Sequence, residues 1–382
     1  MGQFSDTFGQ FAGTALLFLF TLVELLLFKY VKKVEIPWRE VVYNLNSGHL
    51  VMWLFRAVEV VIFYFVLTHF SLGWVGTWPV AAQWIFTFFA WDFCFYWLHR
   101  LHHKIPILWS IHVVHHYGEH FGLTLGIRNS WYSSLGSIPF FIILAVLGVP
   151  INVFVTIAGF HYFVQFYNHN GIVKSSGLLE HFMVTPALHR VHHGCNDEYL
   201  DKNCGGTLNI WDRLFGTYQR EIEGVPIKYG TREPLITDNP FWGNNIPVMD
   251  YLKMKRPVIG HPDDNKNITE DSFIASSGIL LFVVLMYYIY CFGQAPGLQQ
   301  FYLFMLTVSA TVALGGLSDG KYWGILSWVI IATFSPIAYI WTYHIFDPTA
   351  LLIFGCLVLH GLYALKYIFN FNSKENLNRV EA

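Results

Sequence analysis

Long uncharged apolar stretches alternate with shorter polar segments along most of the chain. Apolar runs of about 18 residues or more are typical of helices that cross a membrane. Glycine and proline mark the breaks between neighbouring runs. In chain order the predicted spans are 11–28, 50–73, 80–98, the two halves of 131–168 broken at 148–150, the two halves of 272–318 broken at 293–297, 323–346 and 348–365. The pattern predicts an all-α integral membrane protein with about nine transmembrane helices.

The same pattern divides the chain into three regions. We expect N-terminal transmembrane helices over 1–78, a catalytic region with polar loops over 79–271, and a C-terminal region of four helices over 272–382. Short cytoplasmic loops carry an excess of lysine and arginine, and nearly all of the 23 such residues fall on one side of the predicted helices. This bias places the C-terminus and the polar loops in the cytoplasm. The membrane would be the endoplasmic reticulum in a eukaryote and the inner membrane in a bacterium.

Composition supports the membrane assignment and excludes several classes of protein. Charged residues make up 13% of the chain, about half the ~25% of an ordinary soluble domain. A formal net charge of -2 argues against a nucleic-acid binder, which needs a strongly basic face. Five cysteines without paired spacing indicate neither a disulfide framework nor a cysteine zinc site. The 18 histidines are the unusual feature.

Nine of these histidines fall into four groups at the predicted helix ends and in the loops. Helical residues three or four apart share a face, so each multiple group directs its imidazoles towards one point. The hairpin 131–168 returns to the side it left, which brings all four groups to the same membrane face. The nine candidate ligands are His99, His103, His112, His115, His116, His169, His189, His192 and His193.

The number of clustered histidines predicts two metal ions. Neutral imidazole is the commonest protein metal ligand, and nine ligands exceed what one ion takes. Iron, copper and zinc all accept imidazole, so the spacing alone does not choose the metal. The alternative is a scatter of helix-end histidines at the membrane interface. Three groups of two or three histidines on one membrane face favour a metal site over such a scatter.

The order H-x3-H, H-x2-H-H, one lone histidine and H-x2-H-H resembles the fatty acid hydroxylase and sterol desaturase superfamily of membrane di-iron enzymes. The likeness is closer to its alkylglycerol monooxygenase branch and covers roughly residues 40–220. Further motifs that carry this likeness are Trp91-Asp92-Phe93, Gln165-Phe166, His189-Arg190-Val191-His192-His193-Gly194, Asp201-Lys202-Asn203 and Ile210-Trp211-Asp212. His102, Lys104 and Leu188 depart from that branch.

The resemblance implies an oxidoreductase that uses molecular oxygen, two iron ions and an electron donor, with a reduced pterin as one candidate donor. The implied substrate is a membrane lipid. Hydroxylation of the ether-linked carbon of an alkylglycerol would give a hemiacetal that collapses to an aldehyde and glycerol. The alternative is hydroxylation or desaturation of a fatty acyl, sterol or carotenoid chain. A non-enzymatic metal carrier is more remote, because transporter ligands lie near the bilayer midplane on discontinuous helices.

Two carboxylates are candidates for roles at this site. Asp92 lies seven residues before His99, on the same helical face, and an intramembrane carboxylate is a functional candidate by default. Its alternative is a structural partner of Arg56 or of a hydroxyl. Glu119 is four residues from His115 and three from His116, within reach of the second ring nitrogen that a metal-bound histidine usually donates. We therefore predict that Glu119 orients one of these ligands, the alternative being a solvated loop charge.

Three further features have weaker predictions. Arg128 is expected to contact a lipid headgroup or a cofactor anion, or to anchor the chain at the interface. His161 is expected to point away from the site. The proline-, glycine- and charge-rich stretch 221–266 is expected to cover the site as a loop.

Overall fold

The structure is a computed structural model that describes residues 2–47, 49–234, 237–257, 269–291 and 295–369. These residues form helices and connecting loops. No β-strand occurs in those ranges, where extended backbone pairs only in a single bridge between Met183 and Leu208. The prediction of an all-α protein is confirmed.

The chain divides into two compact units. One, which we call the histidine unit, comprises Val51–Leu235 and Pro247–Met254. The other, which we call the flanking unit, comprises Met1–Leu50, Ile236–Ile246 and Lys255–Ala382. The three-part division drawn from the sequence stays a prediction.

The histidine unit is built from short and long helices around an aromatic core. The core packs the helix Val80–His102 against the helices Ser133–Val146 and Ile151–Asn168. It includes Trp91, Phe141 and Phe154. Proline starts several of its helices, as expected where a backbone N–H has no helical partner. The helices are α3 (His49–His69), α4 (Val80–His102), α5 (Pro106–His116), α6 (Leu123–Ile127), α7 (Ser133–Val146), α8 (Ile151–Asn168), α9 (Pro186–His192) and α10 (Ile210–Phe215).

The predicted hairpin 131–168 is present as α7 and α8. Its break falls where the sequence predicts, between Val146 and Ile151. Gly148 has a φ of +86°, a region that glycine enters without steric cost. A Cβ at that position would also lie 2.8 Å from Cα of Gly73. The turn therefore requires glycine, and it returns α8 towards the end of the hairpin where α7 began.

The flanking unit contains the N-terminal helices and four long apolar helices. Arg39 lies in the helix Trp38–Ser47 and joins it to two other segments. Its guanidinium donates to Asp271 Oδ1 at 2.7 Å, to the carbonyl of Ser318 at 2.7 Å and to the carbonyl of Thr269 at 3.3 Å. Helix α11 (Pro240–Tyr251) is divided between the two units. The other helices of this unit are α1 (Gly2–Leu27), α2 (Trp38–Ser47), α12 (Asp271–Cys291), α13 (Gly297–Ser318), α14 (Tyr322–Tyr343) and α15 (Pro348–Tyr363).

Four helices in the described residues are long and apolar enough to cross a membrane. They are Asp271–Cys291, Gly297–Ser318, Tyr322–Tyr343 and Pro348–Phe369. The other predicted spans coincide with helices, among them α7, which is apolar but shorter. The predicted break at 293–297 lies partly outside the described residues. The integral membrane character is supported, whereas the count of nine spans stays a prediction.

Candidate metal centre

The nine predicted histidines come together in two groups. Within each group every residue offers one ligand atom, and these atoms lie within 4.8 Å of one another. The five-histidine group consists of His99, His103, His112, His116 and His192. The four-histidine group consists of His115, His169, His189 and His193. Their convergence was predicted from the sequence.

Two short helices supply residues to both groups. Helix α5 places His112 and His116 in the five-histidine group and His115 in the four-histidine group. Helix α9 and its C-terminal cap do the same with His192 and His193. Neighbouring residues on a helix point about 100° apart, so one helix between two groups serves both. The end of α4 and the end of α8 complete the set.

The ring nitrogens in the five-histidine group lie close together. His112 Nε2 is 3.1 Å from Nε2 of His99 and also 3.1 Å from Nε2 of His116. His192 Nε2 is 3.2 Å from Nε2 of His116. The same nitrogen of each ring therefore points towards a shared centre.

The four-histidine group is equally tight. His169 Nε2 lies 3.0 Å from Nε2 of His189, 3.1 Å from that of His115 and 3.2 Å from that of His193. The pair of His193 and His189 closes the group at 3.2 Å. Four Nε2 atoms thus surround one point.

The opposite ring nitrogen fixes the protonation of four of these histidines. Each donates Nδ1–H to a backbone carbonyl, which can only accept, so in the neutral ring Nε2 carries a lone pair. The four bonds are His99 to Cys204 at 2.9 Å, His115 to Arg128 at 2.8 Å, His169 to Gln165 at 2.7 Å and His192 to Lys202 at 2.8 Å.

This protonation makes the close Nε2 contacts unfavourable without a cation. His115 and His169 face each other with two lone pairs at 3.1 Å, and no proton is available between them to make a hydrogen bond. A metal ion at the shared centre would accept both lone pairs. A metal-bound histidine also usually donates the N–H of its other ring nitrogen to a group such as a backbone carbonyl. The donor set therefore fits a metal ion in each group.

Burial keeps the imidazoles neutral. It lowers the pKa of His115 to about 4. It also lowers the pKa of His116, His189 and His193 well below the usual value, and neighbouring histidines add to that effect. At neutral pH these rings are uncharged, which is the form that binds metal.

Asp201 is a supporting carboxylate that the sequence argument did not assign. Its Oδ1 lies 3.6 Å from Nδ1 of His103, and it forms an ion pair with Lys104. The neighbouring His103 ring, together with Lys104, holds the pKa of Asp201 well below its usual range. Nearly 100 residues separate Asp201 from His103, so no local spacing could have revealed the contact.

Asp212 holds the turn whose carbonyl orients His99. The buried Asp212 carboxylate accepts from the backbone N–H of Cys204 at 2.7 Å and of Gly205 at 2.9 Å, and from Thr217 Oγ1 at 2.7 Å. Burial raises the pKa of Asp212 to about 6. The Cys204 carbonyl is thereby held where His99 can reach it.

Asp92 also supports this loop. It accepts from the backbone N–H of Thr207 at 3.0 Å and of Leu208 at 3.1 Å, and from Trp211 Nε1 at 2.9 Å. It lies 3.4 Å from Nδ1 of His161. These contacts join α4 to the loop rather than to the nine histidines, so the structure brings Asp92 beside the site without placing it among the candidate ligands.

The side chain of Arg56 has partners other than Asp92. It donates to Glu59 at 2.6 Å and to the hydroxyl of Tyr162 at 2.8 Å. His161, as expected, points away from the site, since its ring contacts Thr207 and the carbonyl of Phe88. The predicted pair of Asp92 with Arg56 is therefore not formed.

Arg128 is buried within the fold, whereas the role of Glu119 stays a prediction. The Nδ1 of His115 donates to the carbonyl of Arg128, which leaves His116 as the ligand that Glu119 would orient. Glu119 lies beside Gly230, where a Cβ would be 3.3 Å from Cγ of Glu119. The Arg128 side chain is 4% exposed and donates to the carbonyl of Val114 at 2.6 Å. Arg128 thus braces α5 from inside the fold.

A cavity of about 660 Å³ reaches the histidines from the loop side. The histidines in its wall are His103, His116, His192 and His193. Charged residues of the loops also line it, including Lys104, Asp201, Arg232, Glu233 and Asp250. Residues 230–233 and 250–251, within the predicted covering stretch 221–266, line the cavity, and residues 258–266 of that stretch lie outside the described residues.

Comparisons with known proteins agree with the histidine pattern. Residues 84–217 match the model of the fatty acid hydroxylase family. Alkylglycerol monooxygenase of Xenopus tropicalis is 37% identical over 190 residues, which is 49% of this chain and 41% of that protein. The Homo sapiens alkylglycerol monooxygenase is 35% identical over 189 residues, with the same two shares. An ornithine lipid hydroxylase of Rhizobium tropici is 33% identical over 157 residues, 40% of this chain and 46% of that protein.

These matches cover only part of each relative. The aligned part of the chain spans less than half the length of these curated relatives. No solved structure matches the chain. The resemblance drawn from the histidine spacing is confirmed: the segment that carries all nine histidines matches the fatty acid hydroxylase family, and alkylglycerol monooxygenases are among its relatives.

Proposed function

We propose that this protein is an integral membrane monooxygenase that hydroxylates a lipid at a pair of iron ions. The nine histidines would hold the ions, five at one centre and four at the other. The observation that carries the proposal is the set of Nε2 atoms that face one another at 3.0–3.2 Å in each group. When bound there, iron would supply the activation of molecular oxygen.

The residues of the chain hold this centre rigid. The ring N–H groups of four histidines are bound by carbonyls, and Asp212 fixes the turn that presents one of those carbonyls. Burial keeps the rings neutral. Aromatic side chains next to the histidines, among them Phe95, Trp109 and Phe121, provide apolar surface for a lipid chain.

We propose the ether-linked carbon of an alkylglycerol as the position that is oxidised. The names of four relatives support this substrate. One atom of molecular oxygen would enter the C–H bond and the other would leave as water, with two electrons from a donor such as a reduced pterin. The resulting hemiacetal would collapse to a fatty aldehyde and glycerol.

The second candidate is hydroxylation of a fatty acyl chain. Its support is the likeness to the ornithine lipid hydroxylase and to a fatty acid hydroxylase of Lecanicillium. The histidine groups serve either reaction, so the choice between them depends on how the substrate is positioned.

We also infer that the histidines and the loop-side cavity face the cytoplasm. The support is the excess of lysine and arginine in the predicted loops on that side. A small electron donor from the cytosol would then reach the histidines through the cavity, while the lipid would arrive from the bilayer along the apolar helices.

Product analysis tests the reaction. Membranes that contain the full chain are supplied with a 1-O-alkylglycerol, oxygen and a reduced pterin, and we expect a fatty aldehyde together with about two iron ions per chain by elemental analysis. Stable hydroxylated acyl products, with no aldehyde under any reductant, would transfer the assignment to the second candidate. One metal ion or none in active protein would overturn the two-ion centre.

A further inference from the structure

Three buried polar atoms on α8 and at the start of α9 have no hydrogen-bond partner in the described part of the chain. They belong to Gln165 (Nε2), Asn168 (Oδ1) and Thr185 (Oγ1). Buried polar atoms are rarely left unpaired, because the loss of water is then not compensated. Gln165 is the most informative of the three, since an amide nitrogen only donates and so requires an acceptor.

The position of Gln165 is related to the histidines by helix geometry. It lies four residues before His169 in α8, as Phe95 lies four residues before His99 in α4. Four residues make about one turn, so each side chain shares the face of its histidine. Both helices end at the histidines. Each of the two side chains therefore lies one helical turn before its histidine, in the apolar part of its helix.

Both side chains lie next to Gly206. A Cβ on Gly206 would lie 2.6 Å from Cδ1 of Phe95 and 3.4 Å from Nε2 of Gln165. The Phe95 ring centroid is in turn 5.3 Å from that of His99. The unpaired donor therefore lies between α4 and α8, next to a residue that packs on the five-histidine group.

Local contacts keep the donor in this position. The Gln165 carbonyl accepts the Nδ1–H of His169 at 2.7 Å, which ties the backbone of Gln165 to the four-histidine group. Asn168 Nδ2 donates to the carbonyl of Gly206 at 3.1 Å, which pins the loop. The amide is thus held where no described residue offers it an acceptor.

We propose that Gln165 Nε2 donates a hydrogen bond to a substrate oxygen next to the carbon that is oxidised. This inference rests on the proposed function and identifies a residue that would determine its substrate specificity. An ether oxygen would satisfy the amide, whereas a plain hydrocarbon chain would leave it unpaired, and a site with an unpaired polar group rejects such analogues. Gln165 is in these terms a positioning residue that selects ether lipids, and Phe95 packs against the neighbouring methylenes.

A pair of substrates tests the proposal in the iron-loaded, membrane-bound full chain. One is a 1-O-alkylglycerol, and the other is its analogue with a methylene in place of the ether oxygen. We expect the unaltered protein to prefer the ether in kcat/KM, and Gln165→Leu to reduce that preference about tenfold, as the loss of one hydrogen bond predicts. The iron content should stay unchanged.

Gln83→Leu is the matched control. Gln83 Nε2 donates to the carbonyls of Gly76 and Trp78 near the start of α4, far along the helix from His99. The same substitution there should leave the ether preference intact. Gln165→Glu provides a second variant in case the leucine variant loses iron, since it removes the donor at nearly constant volume and should also lose the preference.

The outcomes separate the two proposals. Aldehyde from the unaltered protein together with an unchanged ether preference in iron-loaded Gln165 variants would overturn the role of Gln165 and leave its amide to a structural water. Equal oxidation of both substrates by the unaltered protein would overturn it without any variant. Absence of aldehyde from every ether lipid would overturn the proposed function itself.

Discussion

Both units have an apolar core, and the histidine unit adds the buried polar contacts that hold its nine histidines. In the histidine unit, buried polar groups reach across long sequence distances, as when His99 donates to Cys204 or Asp92 accepts from Thr207. In the flanking unit, apolar side chains form the core, and α13 and α14 approach so closely that a Cβ on Gly324 would lie 2.1 Å from the carbonyl carbon of Gly316.

This difference predicts different consequences of mutation. A polar network depends on particular partners, so one changed side chain can abolish a metal site and leave the fold in place. Apolar packing depends on volume and shape, so a changed side chain alters the free energy of unfolding and leaves the chemistry untouched.

The largest effect is expected for His193→Ala. His193 Nε2 lies 3.2 Å from that of His169 and from that of His189, and its ring stacks on His116 of the other group at a centroid distance of 4.5 Å. We expect the loss of at least one iron ion per chain and a fall in turnover of more than about 100-fold, beyond the range for outer ligand partners. Elemental analysis and turnover measure both.

His69→Ala is the control for this variant. His69 is exposed at the end of α3 and contacts Thr68 and Phe65 of its own helix. Full iron content and turnover are expected there. Equal losses in the two variants would mean that histidine removal acts through the fold, and the contrast between the units would fail.

An intermediate effect is expected for Asp201→Asn. Asp201 has a φ of +57°, which asparagine also tolerates, so the backbone should be preserved while the charge beside His103 is removed. Losses of about 10- to 100-fold in iron affinity or turnover are typical of such partners. Iron titration of the purified protein would measure the affinity.

Glu119→Gln is the matching substitution at the carboxylate that the sequence favoured. Because His115 already donates to the Arg128 carbonyl, we expect less than a tenfold loss. A larger loss at Glu119 than at Asp201 would restore Glu119 as the main supporting carboxylate and remove Asp201 from that role.

The smallest effect on function is expected for Gly324→Ala. The new Cβ would meet backbone atoms of Gly316 and Leu317 at 2.1–2.6 Å, which cannot yield as a flexible side chain can. Overpacking typically costs about 1–3 kcal/mol, and alanine regains up to about 1 kcal/mol of helix propensity. We expect a net destabilisation of about 1–2 kcal/mol, seen as a lower thermal midpoint with unchanged iron content.

Gly355→Ala is its control in α15. A Cβ at Gly355 meets nothing within 4 Å, so the helix propensity of alanine should leave the thermal midpoint unchanged or slightly higher. Loss of iron in Gly324→Ala below its unfolding temperature would show that the flanking unit supports the metal centre, and the separation of the two units would have to be abandoned.

The sequence by itself determined the long apolar helices, the breaks between them and the convergence of the histidines. Helix periodicity and the conformational limits of glycine and proline act within a few residues, so the α7–α8 turn at Gly148 and the start of α13 at Gly297 follow from local rules. The spacing of three and four residues within each histidine group follows from the same periodicity.

Only the tertiary structure decided how the nine histidines divide and what holds them. His115 and His116 are neighbours in one sequence motif, yet they enter different groups because α5 lies between the two groups. The carbonyls that orient the rings, the Asp201 contact and the unpaired Gln165 amide all depend on loops that meet α4, α5 and α8 from distant parts of the chain. Such contacts arise when packed elements are placed against one another, and no periodicity along the chain encodes them.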